Sequence, residues 1–379
     1  MIERPHLAIR GVGRSARRAM ALAMLSAAIA LPSRAGEVSP LEIVDAAREA
    51  PAAAAAAVDE AAGAPPAAGG APRIGGADEI FLVSTRGMGI RCDAALMPSA
   101  LQCDERGPDG RWQRCSWSDL IARFERPLPT VIYVHGNRVA SGADRAHGLE
   151  FYRWLHARRT DGAPLRYVIW SWPSAQIPGR LKDYEVKAAR CRPCAWQLAW
   201  AVDQMPPETP LAIVGYSYGA RLTSGALHLL GGGRMGDLQL AERAHPQRSA
   251  IRVALVAAAM DAHWLRPGGV HGEALGQVES LVLVSNQLDP AMRFYPLSPV
   301  GHRVPALGYS GPVSRESLGE LAERIQTVDM TAAVGRRHAL SEYMASGLLA
   351  RALDPVVDLA APSAAVDSSL AGRDDAARQ

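Results

Sequence analysis

Lysine is nearly missing from this chain. Of its 41 basic residues only Lys182 and Lys187 are lysines. Neither follows a glycine, so no GxxxxGK phosphate loop exists and P-loop nucleotide hydrolysis is excluded. An excess of one charge is missing as well. The 41 Lys and Arg face 38 Asp and Glu, and the net +3 is too small to imply a nucleic-acid surface. The ten histidines form no HExxH, and the CxxC at Cys191 and Cys194 has no paired histidines downstream, so neither common zinc pattern is present. No motif asks for a metal or an organic cofactor. No run of 18 apolar residues occurs in the body of the chain, which excludes a multi-span membrane protein. What is there is 379 residues, 48% hydrophobic and 21% charged, enough for one large or two ordinary globular domains.

The first 35 residues read as a secretory signal peptide. Arg10, Arg14, Arg17 and Arg18 precede an apolar run from Ala19 to Leu31, and Ser33-Arg34-Ala35 closes it with small residues. As a helix the run is roughly 20 Å long, short of the roughly 30 Å hydrocarbon core, so cleavage is expected; the alternative is an uncleaved inner-membrane anchor. Either way the protein is exported, as a periplasmic or secreted chain. Residues 36–78 are dominated by Ala, Pro and Gly, with few side chains able to offset ordering entropy, and read as a linker. A similar Ala/Asp/Ser-rich composition returns over 353–379, read as a flexible tail. The folded domain is therefore expected over 79–352.

Export places the five cysteines in a compartment that permits disulfides. Cys103 and Cys115 flank the turn cluster Gly107-Pro108-Asp109-Gly110 and are symmetric about it, so a hairpin would set them opposite each other. A Cys103–Cys115 bridge is expected, with Cys92 as the rival partner for either. Cys191 and Cys194 sit within a helical pattern rather than after a strand, which favours a structural over a redox role.

Apolar, β-rich runs recur at 80–83, 131–134, 167–170, 211–214, 251–257, 281–284 and 325–328. Between them lie helical spacings: Leu149, Tyr152 and Leu155; Leu198, Ala199 and Val202; Leu222, Ala226 and Leu229. Near-continuous apolar strands separated by amphipathic helices predict an α/β fold, a mostly parallel central sheet with helices on both faces. Chemistry in such a sheet gathers beyond the carboxyl ends of the strands, so the residues that follow each strand are the ones to inspect.

After 211–214 comes Gly215-Tyr216-Ser217-Tyr218-Gly219, then a helical stretch. This is GxSxG at a strand-to-helix turn. A nucleophile presented on a sharp turn needs neighbours without side chains two positions either side, or strand and helix collide. The strand 131–134 runs into His135-Gly136-Asn137, a loop able to aim a backbone N–H at the nucleophile and to complement the N–H of Tyr218 in an oxyanion hole. His135 itself is expected to brace that loop. Asp289 follows 281–284, and His338 follows 325–328, giving the chain order Ser, Asp, His.

Over residues 79–350 these features resemble the α/β-hydrolase superfamily. The loop His135-Gly136-Asn137 and Ser171-Trp172-Pro173-Ser174 further resemble a bacterial branch of hydrolases of unknown function. The elbow carries Tyr216 where many members have His, and 290–323 shows no helical lid pattern. The resemblance implies a serine hydrolase, a carboxylic-ester hydrolase in the first instance, with a small-molecule acyl substrate and no cofactor. Ser217 is the implied nucleophile, His338 its base, Asp289 the orienting acid, and the N–H groups of Tyr218 and Asn137 the oxyanion donors. Asp289-Pro290 reads equally as a helix N-cap; Asp261 and Asp329 are rival acids and His302 a rival base. Tyr216, Tyr218, Trp170, Trp172, Phe294 and Tyr295 are candidates for an apolar acyl pocket. The alternative function is an exported, non-catalytic binding protein on the same fold.

Overall fold

The structure is a computed structural model and describes residues 78–159, 162–293, 295, 304–312 and 315–359. The expected signal peptide, the linker up to Ala77 and the tail beyond Leu359 lie outside the described residues, as do Phe294 and His302.

Among the described residues nine strands form one sheet: β1 (Glu79–Ser84), β2 (Gln102–Arg106), β3 (Trp112–Cys115), β4 (Thr130–Val134), β5 (Arg166–Ser171), β6 (Leu211–Tyr216), β7 (Ile251–Val256), β8 (Val278–Ser285) and β9 (Ile325–Asp329). Their order is β3-β2-β1-β5-β4-β6-β7-β8-β9. The pairs β1/β2 and β2/β3 are antiparallel, and every other pair is parallel. All seven expected strands are present. β4, β5 and β7 are buried along their whole length, which is why they read as unbroken apolar runs. The run at 251–257 overshoots by one residue, because Ala257 leaves the sheet at φ 47°.

The longer helices are α1 (Ala143–His156), α2 (Arg180–Asp203), α3 (Tyr218–Leu230) and α4 (Gly347–Val357). The three expected stripes on α1, α2 and α3 are all buried, and α2 packs along α3. The chain leaves β4 through α1 toward β5 but crosses from β5 through α2 to β6. Right-handed crossovers in opposite directions put α1 on one face and α2 with α3 on the other. The crevice outside the carboxyl ends of β4 and β6, where the direction of winding reverses, is where such a sheet places ligands. Among the described residues no helix is long and apolar enough to cross a membrane.

Two boundaries differ from the expected ones. α4 continues past 352 to Val357, with Leu353 and Val356 buried, so 353–357 belong to the fold and not to the tail. Leu349, Ala352, Leu353 and Val356 form an i, i+3, i+4, i+7 stripe against β7 and β8, and this spacing outweighs the Ala/Asp-rich composition around it. The second difference concerns the cysteines. The 103–115 hairpin forms with Cys103 opposite Cys115, but all five cysteines are free thiols and the expected bridge is absent. The facing Cys115 thiol, more than burial, raises the pKa of Cys103. Cys92, the rival, bonds instead to the carbonyls of Ile90 and Pro193 at 3.6 and 3.7 Å.

Candidate active site

β6 ends and α3 begins at Ser217, which sits at φ 54°, ψ −116°. A non-glycine residue in that region stores roughly 1–3 kcal/mol of strain and persists only where its surroundings over-determine it. Here they do. The Ser217 N–H donates to the Val256 carbonyl at 2.9 Å, and the Ser217 carbonyl accepts from Ala259 at 3.2 Å and Ala220 at 3.1 Å. The end of β7 therefore clamps the elbow.

The flanking glycines meet the steric need expected of them. A Cβ on Gly219 would lie 2.2 Å from the Val134 carbonyl oxygen, and one on Gly215 2.7 Å from Ala220 Cα. Both obstacles are backbone and cannot swing away. Gly219→Ala is expected to lower stability by about 1–3 kcal/mol and to cut soluble yield; a denaturation midpoint equal to wild type would show that α3 does not need this approach.

His338, after β9, and Asp289, after β8, converge on the elbow. The imidazole Nε2 lies 3.2 Å from Ser217 Oγ, and Nδ1 lies 2.5 Å from Asp289 Oδ2. Asp289 is fully buried, and Ser217 keeps 4% of its surface. The contacts of Asp289 are divided between its oxygens. Oδ2 faces His338, while Oδ1 accepts from the N–H groups of Ala291 at 2.8 Å and Met292 at 3.3 Å, capping the turn Pro290–Arg293. Neither rival acid reaches His338. Asp329 Oδ1 accepts from the Thr331 N–H and hydroxyl, and the charge of Asp261 is felt at Arg221.

Three residues position the site: Tyr216, expected instead in an acyl pocket, and Asn286 and Tyr343, which were not among the expected site residues. The Tyr216 hydroxyl donates to the His338 carbonyl, with the rings 5.4 Å apart. Asn286 Nδ2 donates to the Gly335 carbonyl at 2.8 Å, holding the loop that carries His338. The Tyr343 hydroxyl donates to Asp289 Oδ2 at 3.2 Å. The sequence signal was the place of Tyr216 at the end of one strand and of Asn286 directly after another; Tyr343, on a later helical turn, gave none.

The loop after β4 abuts the elbow, and a Cβ on Gly136 would stand 3.3 Å from Ser217 Cβ. The backbone N–H groups of Asn137 and Tyr218 donate to no acceptor among the described residues, as oxyanion donors must. Asp183, fully buried, holds this loop. It accepts from Asn137 Nδ2 at 3.2 Å, Arg138 Nε at 3.0 Å and the Ile177 N–H at 3.1 Å. His135 braces the loop as expected. Its Nδ1 meets the Gly136 carbonyl at 2.9 Å, and its carbonyl accepts from the Trp172 indole at 2.8 Å.

The aromatic candidates divide. Trp170 and Trp172 are 1% and 0% exposed and belong to the core rather than to a pocket wall. Tyr218 and Tyr295 meet edge to face at 6.0 Å beside the elbow. The CxxC lies inside α2 with both thiols buried. Burial pushes Cys191 up to about 12 and Cys194 well above its ordinary value, so neither is a thiolate near neutral pH. Among the described residues no cluster of His, Cys, Asp and Glu is arranged to hold a metal.

Burial, then the Arg86 charge, depresses His135 to about 3, and burial depresses His271 well below its ordinary value. Both are neutral in the folded protein. A histidine depressed on folding binds more protons when unfolded, so its contribution is complete above the unfolded pKa of about 6.5 and is lost as pH falls toward the folded value. Stability is expected to decline below pH 6.5, by up to about 1.4 kcal/mol per pH unit for each histidine. Urea titrations at pH 7.5, 6.5 and 5.5 check this, and a flat profile would mean that these rings charge without unfolding.

No family model matches the chain, and no curated protein matches it.

Proposed function

We propose that this protein is a serine hydrolase of α/β-hydrolase type, acting on carboxylic esters of small or medium acyl groups. The observation that carries the reading is the continuous line from Ser217 Oγ through the His338 ring to Asp289 Oδ2, with separations of 3.2 and 2.5 Å, in the chain order Ser, Asp, His.

In the reaction, Ser217 Oγ attacks the acyl carbon while His338 Nε2 takes the hydroxyl proton. Asp289 Oδ2 holds the proton on Nδ1, which fixes the tautomer and stabilises the imidazolium as it forms. The carbonyl oxygen gains negative charge in front of the Tyr218 and Asn137 N–H groups, each such donor being worth about 2.7–4 kcal/mol of barrier. His338 returns the proton to the leaving alcohol, and the C–O bond of the ester breaks. Water, deprotonated by the same ring, then releases the acid from Ser217.

The N-terminal signal read from the sequence adds an exported location to this reading. Purified protein incubated with p-nitrophenyl acyl esters of graded chain length tests the enzyme reading: turnover that peaks at short or medium acyl chains is expected. A folded protein that binds such esters without releasing p-nitrophenol would instead be the non-catalytic binder.

A further inference from the structure

One cation beside the elbow has no part in the mechanism above. Arg221 lies one helical turn after Ser217 on α3, its N–H 3.4 Å from the Ser217 carbonyl. Side chains on a helix lean toward its N-terminus, so Arg221 leans back toward the nucleophile. Its guanidinium carbon stands 4.6 Å from the centre of the Trp264 ring, and Nη1 donates to the Tyr295 hydroxyl. The Tyr295 ring in turn meets Tyr218, the residue next to the nucleophile. Two neutral aromatic groups thus fix the orientation of the fork without cancelling its charge.

Among the described residues no carboxylate forms an ion pair with Arg221. By contrast, Arg86, Arg138 and Arg243 each meet an aspartate. Arg221 is half-buried, and its Nε and Nη2 donate to no described residue. Asp261 feels the charge of Arg221 without pairing with it. A partly buried cation without a counterion carries a desolvation cost that a leucine or methionine would avoid. The cost is understandable where an anion arrives with the ligand, since two adjacent guanidinium donors match a carboxylate in bidentate fashion.

We infer that Arg221 is a specificity residue which binds a carboxylate on the substrate, so that the preferred esters are half-esters of short dicarboxylic acids. The inference rests on the serine-hydrolase reading. Arg221 follows Ser217 by one helical turn, ~5.4 Å along α3, and leans back toward it, so the acid that joins the ester carbonyl to the carboxylate is a short one.

The test compares kcat/KM for mono-p-nitrophenyl glutarate with that for p-nitrophenyl butyrate, in the wild type, Arg221→Met and Arg221→Lys. Wild type is expected to favour the charged ester by roughly 10-fold or more, the scale of a charge-assisted pair. Arg221→Met is expected to bring the ratio to about one, and Arg221→Lys to retain part of the preference. A wild-type ratio of one or below overturns the inference and leaves the hydrolase standing, as does a ratio that Arg221→Met does not change. The wild-type measurement decides even if a variant fails to fold. If wild type turns over neither ester and takes no fluorophosphonate, the hydrolase reading fails and this inference fails with it.

Discussion

Replacing Ser217 by alanine is expected to lower kcat for the best p-nitrophenyl ester by on the order of 10⁴- to 10⁶-fold, with the fold intact. The hydroxyl is the only part of the residue that the reaction uses. The elbow is held by backbone hydrogen bonds to Val256 and Ala259, which an alanine at 217 keeps. The small residual rate would come from the oxyanion donors and binding alone, because a triad acts as a unit and removing one member disables the others. Far-ultraviolet circular dichroism and the denaturation midpoint establish that the variant is folded. A folded Ser217→Ala that retains more than about a tenth of wild-type turnover, well outside that range, would assign the chemistry to another residue.

The second large effect belongs to Asp289→Asn, with an expected loss of about 10⁴-fold in kcat. The substitution separates the two duties of this side chain. An asparagine keeps an oxygen toward the N–H groups of Ala291 and Met292, now reached by Asp289 Oδ1 at 2.8 and 3.3 Å, so the capped turn survives. On the other side, an amide N–H replaces Oδ2 opposite His338 Nδ1. Nδ1 must then accept, the proton moves to Nε2, and the ring can no longer take the proton of Ser217. Asp289→Ala loses the cap as well, at a further cost of about 1 kcal/mol of stability. Similar activity with similar stability in both variants would mean that the carboxylate serves the turn alone.

Much of the architecture was legible in the sequence because the sheet is buried. Strands such as β4 and β7, covered on both faces, cannot tolerate polar side chains in their centres, and their residues announce themselves as apolar runs. The elbow was legible for a related reason: Gly215 and Gly219 stand where a methyl group would strike backbone. His338 and Asp289 were found by their position after strand ends.

What the sequence concealed depends on contacts between distant segments. Tyr216, Asn286 and Tyr343 act on the site through hydrogen bonds spanning 49 to 122 positions, which no local pattern encodes. Trp170 and Trp172 lie near strand ends like true pocket residues, yet the packing buries both. Composition misled at the C-terminus, where a stripe from Leu349 to Val356 was hidden among alanines and aspartates. The pairing of Cys103 with Cys115 followed from the turn between them, but register alone brings thiols face to face without deciding whether they are oxidised.

The central claim is that the hydroxyl of Ser217 is an activated nucleophile. The most direct measurement is intact-mass and peptide mapping of the protein after exposure to a fluorophosphonate. The account predicts one adduct per chain, on the peptide that contains Ser217, absent from Ser217→Ala. A folded wild-type protein that acquires no adduct, or acquires it on a different residue, would contradict it.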